Sequence, residues 1–255
     1  MKKCYSLLLL GLLIAFCNTL FAQFSGDNIF LPGHYVQVGI APNGSLGSTT
    51  TGVPTGYYPK SPSLDFRDPG TGIYTTTNQR LAMVYDFGHD GWTVGTPSGA
   101  WGDITLPGTP YEGWSIEIAG AQSNAWDQYY QPFSGFASGF SGTLNGGNVS
   151  YTNSGGVISA VWAGTAGPAG ALAITQVTFL DTNSSTVQFT VTLKNTGTST
   201  LNNIYYMRSM DPDNDETQPG GQFYTYNYID YQNDYYHRVM VHATGTVYTL
   251  SLIHI

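Results

Sequence analysis

From Val187 to Lys194 apolar and polar residues alternate without a break. Val187, Phe189, Val191 and Leu193 fall on one face, and Gln188, Thr190, Thr192 and Lys194 on the other. This is the period-two signature of a strand with one side in a core and one in water. On a helix the same residues would scatter around the axis and leave no face to bury. Runs of similar character lie on either side: GGVISAVWAG (155–164), ALAITQVTFLDT (171–182) and LNNIYYMRSM (201–210), with turn residues at 183–185 and 196–200 between the last three runs. The three strands centred on 187–195 read as an antiparallel meander. HYVQVGI (34–40), RLAMVYDFG (80–88) and GWSIEIAG (113–120) precede them, and QFYTYNYIDY (222–231) and RVMVHATGTVYTL (238–250) follow.

Composition agrees with this pattern. Aromatic residues at 14% favour pleated strands, and 32 glycines with 13 prolines build the connections. No segment after the N-terminal apolar run keeps helical spacing without a Gly or Pro. Long Gly- and Pro-rich stretches, such as 41–56, 93–113 and 129–142, separate the strands of the first half, and loops of this kind on a β-scaffold commonly carry binding. The expected fold is all-β: a large antiparallel β-sandwich with long Gly/Pro-rich loops, spanning 23–249, with a boundary between two subdomains open near 145–155.

The first 22 residues have the layout of a secretory signal peptide. Lys2 and Lys3 precede an apolar run, and Leu20-Phe21-Ala22 forms a cleavage site. The run is too short for a span of ~20 residues, so no membrane insertion is expected once it is removed. Both cysteines, Cys4 and Cys17, leave with it, which excludes disulfides, thiolate metal sites and cysteine nucleophiles from the exported chain. Six basic residues then face sixteen acids. That balance repels phosphate backbones and anionic lipid, and speaks against nucleic-acid partners. At the other end, LSLIHI (250–255) is what a common transposase-library adapter encodes. The expectation is that these six residues are translated adapter on an N-terminal fragment of a longer protein; a natural strand is the competing reading.

The segment VQFTVTLKNTGTSTLNNIYYMRSMDPDND (187–215) resembles the strand, NTG turn and strand of β-sandwich modules in large bacterial surface proteins. It is also similar to the sandwich of galactose-mutarotase-like carbohydrate enzymes. Together with the FAQ signal end, the chain resembles N-terminal regions of secreted Bacteroidota proteins exported by the type IX system. The resemblance implies a sandwich fold and a secreted or cell-surface location. It carries over no catalytic residue, because no catalytic motif matches.

Three groups of residues are candidates for chemistry. The stretch DPDNDE (211–216) holds four of the sixteen acids. Asp211, Asp213 and Asp215 alternate, and with Glu216 they supply the hard oxygen ligands that calcium takes. The EF-hand pattern is not met, since Glu216 stands where that loop needs Gly and Gln222 where it needs Glu; a solvated acidic turn is the plainer reading. Tyr224, Tyr226 and Tyr228 share a strand face that either stacks on a ligand or packs inside a sheet. Trp92, Trp101, Trp114 and Trp126 are candidates for a glycan platform, or equally anchors that plug the sandwich ends. Asp86, His89 and Asp90 in YDFGHDGW read as a strand-ending turn. Glu112 and Glu117 face opposite ways on one strand, and so do His237 and His242. The function these features predict is a secreted, non-catalytic β-sandwich module, adhesin-like or structural, with a glycan or surface protein as partner. The alternative is a carbohydrate-binding module or part of a polysaccharide-active enzyme.

Overall fold

The computed structural model describes residues 23–47, 54, 57, 81–86, 101–103, 111–118, 125–130, 144–211, 226–233, 238–244 and 249–254. In chain order the strands of the first half are β1 (Gln23–Ser25), β2 (Asn28–Pro32), β3 (Val36–Ile40), β4 (Met83–Asp86), β5 (Trp101–Asp103), β6 (Tyr111–Ile118) and β7 (Ala125–Tyr130). Those of the second half are β8 (Asn145–Ser154), β9 (Val157–Ala166), β10 (Leu172–Asp181), β11 (Val187–Asn195), β12 (Ile204–Asp211), β13 (Tyr226–Asn233), β14 (Arg238–Thr244) and β15 (Thr249–His254). A single 3-10 turn at Pro168–Gly170 is the one helical element among the described residues. None is long and apolar enough to cross a membrane. The fold is all-β.

Strands pair into four antiparallel sheets, ordered β1-β2-β3-β4-β5, β11-β10-β9-β8, β12-β6-β7 and β13-β14-β15. Local chemistry sets the tight turns. Gly155 and Gly156 join β8 to β9 with φ of 62° and 83°, the two positive values a two-residue hairpin needs. After β11, the Asn195 side chain accepts from the Gly197 amide at 2.9 Å and donates to the Ser199 carbonyl at 2.8 Å. The NTG sequence is thus a turn closed by its own asparagine.

The β8–β11 sheet forms one layer of a sandwich. Its inward residues alternate along the strand: Leu172, Ile174, Gln176, Thr178 and Leu180 of β10 are all buried. Two sheets lie against this face. Ile29, Leu31, Val36, Val38 and Ile40 of the first sheet meet Ile158, Ala160 and Leu180. Trp114, Ile116 and Ile118 of β6 meet Trp162, Ala166, Leu172 and Ile174. Each cluster therefore draws on residues from both sides of 145–155, so the two halves of the chain share their cores.

Two expectations need correction. The meander stops at β11: β12 leaves for the opposite layer and pairs with β6, from Ile204 opposite Ile118 to Asp211 opposite Tyr111. The crossing passes through Asn203, whose φ of 49° lies in the left-handed region that asparagine tolerates better than most residues. Alternation reports which face of a strand is buried but not which strand lies beside it. β3 is buried on both faces, as is β2. A second apolar group, Phe30, Tyr57, Leu81 and Val84, covers the outer side of this sheet. The run 238–250, read as one strand, contains β14 and the start of β15, which pair with each other.

Candidate functional site

Two constellations of polar and aromatic side chains stand out, one buried and one exposed. The buried one lies at the seam between the two apolar clusters, where β10 places Gln176 between Ile174 and Leu180. Glu112 of β6 and Arg208 of β12 meet there as an ion pair through Oε1 and Nε, with side-chain exposures of 0% and 13%. The other Glu112 oxygen accepts from the Leu46 amide at 2.6 Å. Arg208 also donates to Gln176 Oε1 at 3.1 Å and reaches the Gly44 carbonyl at 3.5 Å, with its guanidinium 3.9 Å from the Phe189 ring centroid. Tyr206 donates to the same Gln176 oxygen at 2.9 Å.

This group clamps one tight turn. Chain segment 41–46 follows β3 and folds back so that Leu46 bridges Ile40. Its carbonyls are taken up by side chains from both layers. Trp114 Nε1 donates to the Asn43 carbonyl and Trp162 Nε1 to the Pro42 carbonyl, each at 2.9 Å. Asn148 Nδ2 reaches the Ala41 carbonyl at 3.1 Å. The two indoles meet edge to face at 5.0 Å, a contact worth ~0.5–1.5 kcal/mol beyond burial. Gly44 has a φ of +80°, and a Cβ there would sit 3.0 Å from the Trp162 ring.

Burial pushes the Glu112 carboxyl up, and Arg208 and the Leu46 amide pull it back only in part. For Arg208 burial acts to lower the pKa, but Glu112 and Tyr206 together more than reverse this, leaving it raised. Burial likewise raises the Tyr206 phenol. An acid and a base held this way serve each other and the turn.

The exposed constellation lies on the β13-β14-β15 sheet. Tyr226 stands opposite Thr244 and Tyr228 opposite His242. The register then shifts at Asp230, so that Tyr231 stands opposite Met240. Residues directly opposite one another share a face, and Thr244, His242 and Met240 alternate along β14. The bulge therefore puts Tyr231 on the same face as Tyr226 and Tyr228, where simple alternation would put it on the other. The three tyrosines are 54%, 50% and 45% exposed. Asp230 Oδ2 lies 2.6 Å from His242 Nδ1, and the His242 ring stacks on Tyr228 at 4.9 Å and 20°.

The residues singled out by sequence divide between these places. Trp114 is fully buried in β6, so it is an anchor of the turn and offers no ring face to a ligand. Trp101 and Trp126 lie in strands β5 and β7 rather than in loops. Tyr226 and Tyr228 are exposed, against the reading that packs them inside a sheet. Asp211 ends β12. Trp92, Tyr224, Asp213, Asp215 and Glu216 lie outside the described residues, as do residues 1–22. Among the described residues no group of three or more metal-ligating side chains converges.

Sequence reasoning missed the Glu112–Arg208 pair and the Asp230–His242 dyad. The first was open to detection: both charges sit at inward parity on otherwise apolar strand faces, Glu112 with Trp114, Ile116 and Ile118, and Arg208 with Ile204 and Tyr206. The second had one signal, an aspartate in mid-strand, where that residue is disfavoured.

Fold and sites together define an antiparallel β-sandwich with a charged seam and an exposed aromatic sheet. No family model, curated protein or solved structure matches the chain.

Proposed function

We propose that the chain is a non-catalytic β-sandwich module of a secreted or cell-surface protein of the type IX-exported Bacteroidota kind, adhesin-like or structural in role. The observation that carries a binding or scaffold role is the use made of the buried acid and base. Glu112 and Arg208 are engaged with each other and with the 41–46 turn, so neither stands ready to move a proton for a substrate. The signal-like N-terminus and the acidic balance of the chain favour an exported protein that avoids nucleic acid and anionic lipid. Brief protease treatment of intact cells producing the chain in a type IX-competent bacterium should degrade it while a cytoplasmic marker survives. Full protection until lysis would refute a surface location.

The acidic segment from Asp211 to Glu216 is read as a calcium loop that opens where β12 ends. Extracellular calcium modules bind at ~0.1–1 mM, so about 10 mM calcium should stabilise the fold by roughly 1–3 kcal/mol. The Tm should rise by about 3–10 °C over a chelator control, and Asp213→Ala/Asp215→Ala should abolish the rise. Superimposable melts with and without calcium would remove the ion from this account.

A second reading, a carbohydrate-binding module, is favoured by the half-exposed tyrosines of β13.

A further inference from the structure

We infer that the face of β13 and β14 bearing Tyr226, Tyr228, Tyr231, Asp230 and His242 is a binding site for an uncharged polysaccharide chain. The inference rests on the reading of the protein as an exported binding module and names the site and ligand class within it.

The argument begins with shape. A strand advances ~3.3 Å per residue, so the row from Tyr226 to Tyr231 runs roughly 15 Å along one sheet face. It is a linear platform, long enough for an extended polymer rather than a single small molecule. All three rings are about half exposed, although large aromatic side chains gain free energy by burial. Each tyrosine presents an apolar ring together with a hydroxyl that donates and accepts. That pairing suits a ligand with apolar C–H faces and a rim of hydroxyls.

The platform is also held in place before any ligand arrives. Asp230 fixes His242 at 2.6 Å, and His242 stacks on Tyr228 at an interplanar angle of 20°. Asp230 stands at the bulge that brings Tyr231 onto the face, and its carboxylate meets His242. A side chain held in one position costs less to order on binding.

Charge then selects among glycans. The carboxylate on this face is Asp230, and the whole chain carries a formal charge of −8. Sulfated or uronate polymers would meet like charge, which opposes their approach. A neutral polymer meets instead a carboxylate that accepts hydroxyl hydrogen bonds and phenols that do both.

The test is affinity electrophoresis of the full chain in gels containing mannan, xylan or a soluble β-glucan, with polygalacturonate as the charged counterpart. At least one neutral polymer should retard the chain, and polygalacturonate should not. Tyr226→Ala/Tyr228→Ala should weaken the retardation about tenfold or more, whereas Tyr228→Phe, which keeps the ring, should retain most of it. His242→Ala should weaken it by freeing Tyr228, and Val149→Ala, an exposed change on β8, should leave it untouched. Far-UV circular dichroism checks that each variant is folded. Indifference to every neutral polymer, equal retardation by polygalacturonate, or retardation unaltered in the double variant overturns the inference. So does a double variant whose main effect is to abolish concentration-dependent self-association in sedimentation, which would make the face an interface between copies. A chain that reaches the cell surface yet binds no polymer ends this inference alone, whereas a chain protected inside the cell ends the reading beneath it.

Discussion

Glu112→Ala is expected to cost about 3–5 kcal/mol, the usual penalty for removing one member of a buried ion pair. A domain of this kind has a total margin of only ~5–15 kcal/mol, so a large part of the stability should disappear with a single carboxylate. The loss has two sources. Arg208 is left at the seam with its charge uncompensated, and the Leu46 amide loses the acceptor 2.6 Å away. The Phe189 ring and Gln176 remain beside the guanidinium, but neither carries a negative charge. Arg208→Met alone should also be costly, because it strands the Glu112 carboxylate, which burial already disfavours as an anion. Glu112→Leu/Arg208→Met removes both charges together and should be far more stable than either single change predicts. Urea unfolding of the four proteins measures this. A Glu112→Ala midpoint within about 0.5 kcal/mol of wild type, the range of an ordinary surface change, would show that the pair does not hold the seam.

The second large effect is expected from Trp162→Ala, at about 3–5 kcal/mol. Trp162 lies over a pair of glycines, Gly146 of β8 and Gly164 of β9, which stand opposite each other in register. A Cβ on either would run into its ring and also into the backbone of the neighbouring strand. The small residues and the large one are thus complementary parts of one packing unit, and truncating the indole opens a cavity that backbone alone cannot fill. Its edge contact with Trp114 and its donation to the Pro42 carbonyl are lost as well. Trp162→Phe keeps much of the ring but gives up the N–H. It should cost less, about 1–3 kcal/mol, the penalty for leaving a buried acceptor unpaired. Gly146→Val should be strongly destabilising in the wild-type chain and remain so in Trp162→Ala, because the Ala163 carbonyl at 2.5 Å and the Gly164 Cα at 2.7 Å still meet the added Cβ. Full rescue of Gly146→Val in the Trp162→Ala background would mean that the indole alone excludes a side chain there.

Much of the sandwich was legible because the signal is local. In β11 the boundaries and the faces follow directly from VQFTVTLKN, and Lys194 is exposed as its parity demands. β9 and β10 were legible as strands but β10 not by face, since it turns Gln176 and Thr178 inward and leaves Val177 and Phe179 only half-buried. The candidate sites were less legible. Trp114 falls inside the strand read from GWSIEIAG, but its burial depends on a turn far away in sequence that supplies the Asn43 carbonyl. Tyr226 and Tyr228 were identified as sharing a face, but nothing in QFYTYNYIDY says whether that face is covered. Exposure is a property of what packs on a sheet, and the strand does not encode it alone.

By itself the sequence determined the class of the fold, most strand positions and the inward face of β11. Alternation, turn-forming glycines and asparagines, and the shortage of charge all act over a few residues. Tertiary structure alone decided which strands become neighbours and therefore which side chains meet. β12 could have continued the meander on its parity; it crosses to β6 instead, and only there does Arg208 face Glu112. The bulge at Asp230 is the same kind of decision. A one-residue shift in pairing moved Tyr231 to the face of Tyr226 and Tyr228, because register is set by the summed fit between two strands and not by the pattern of either one.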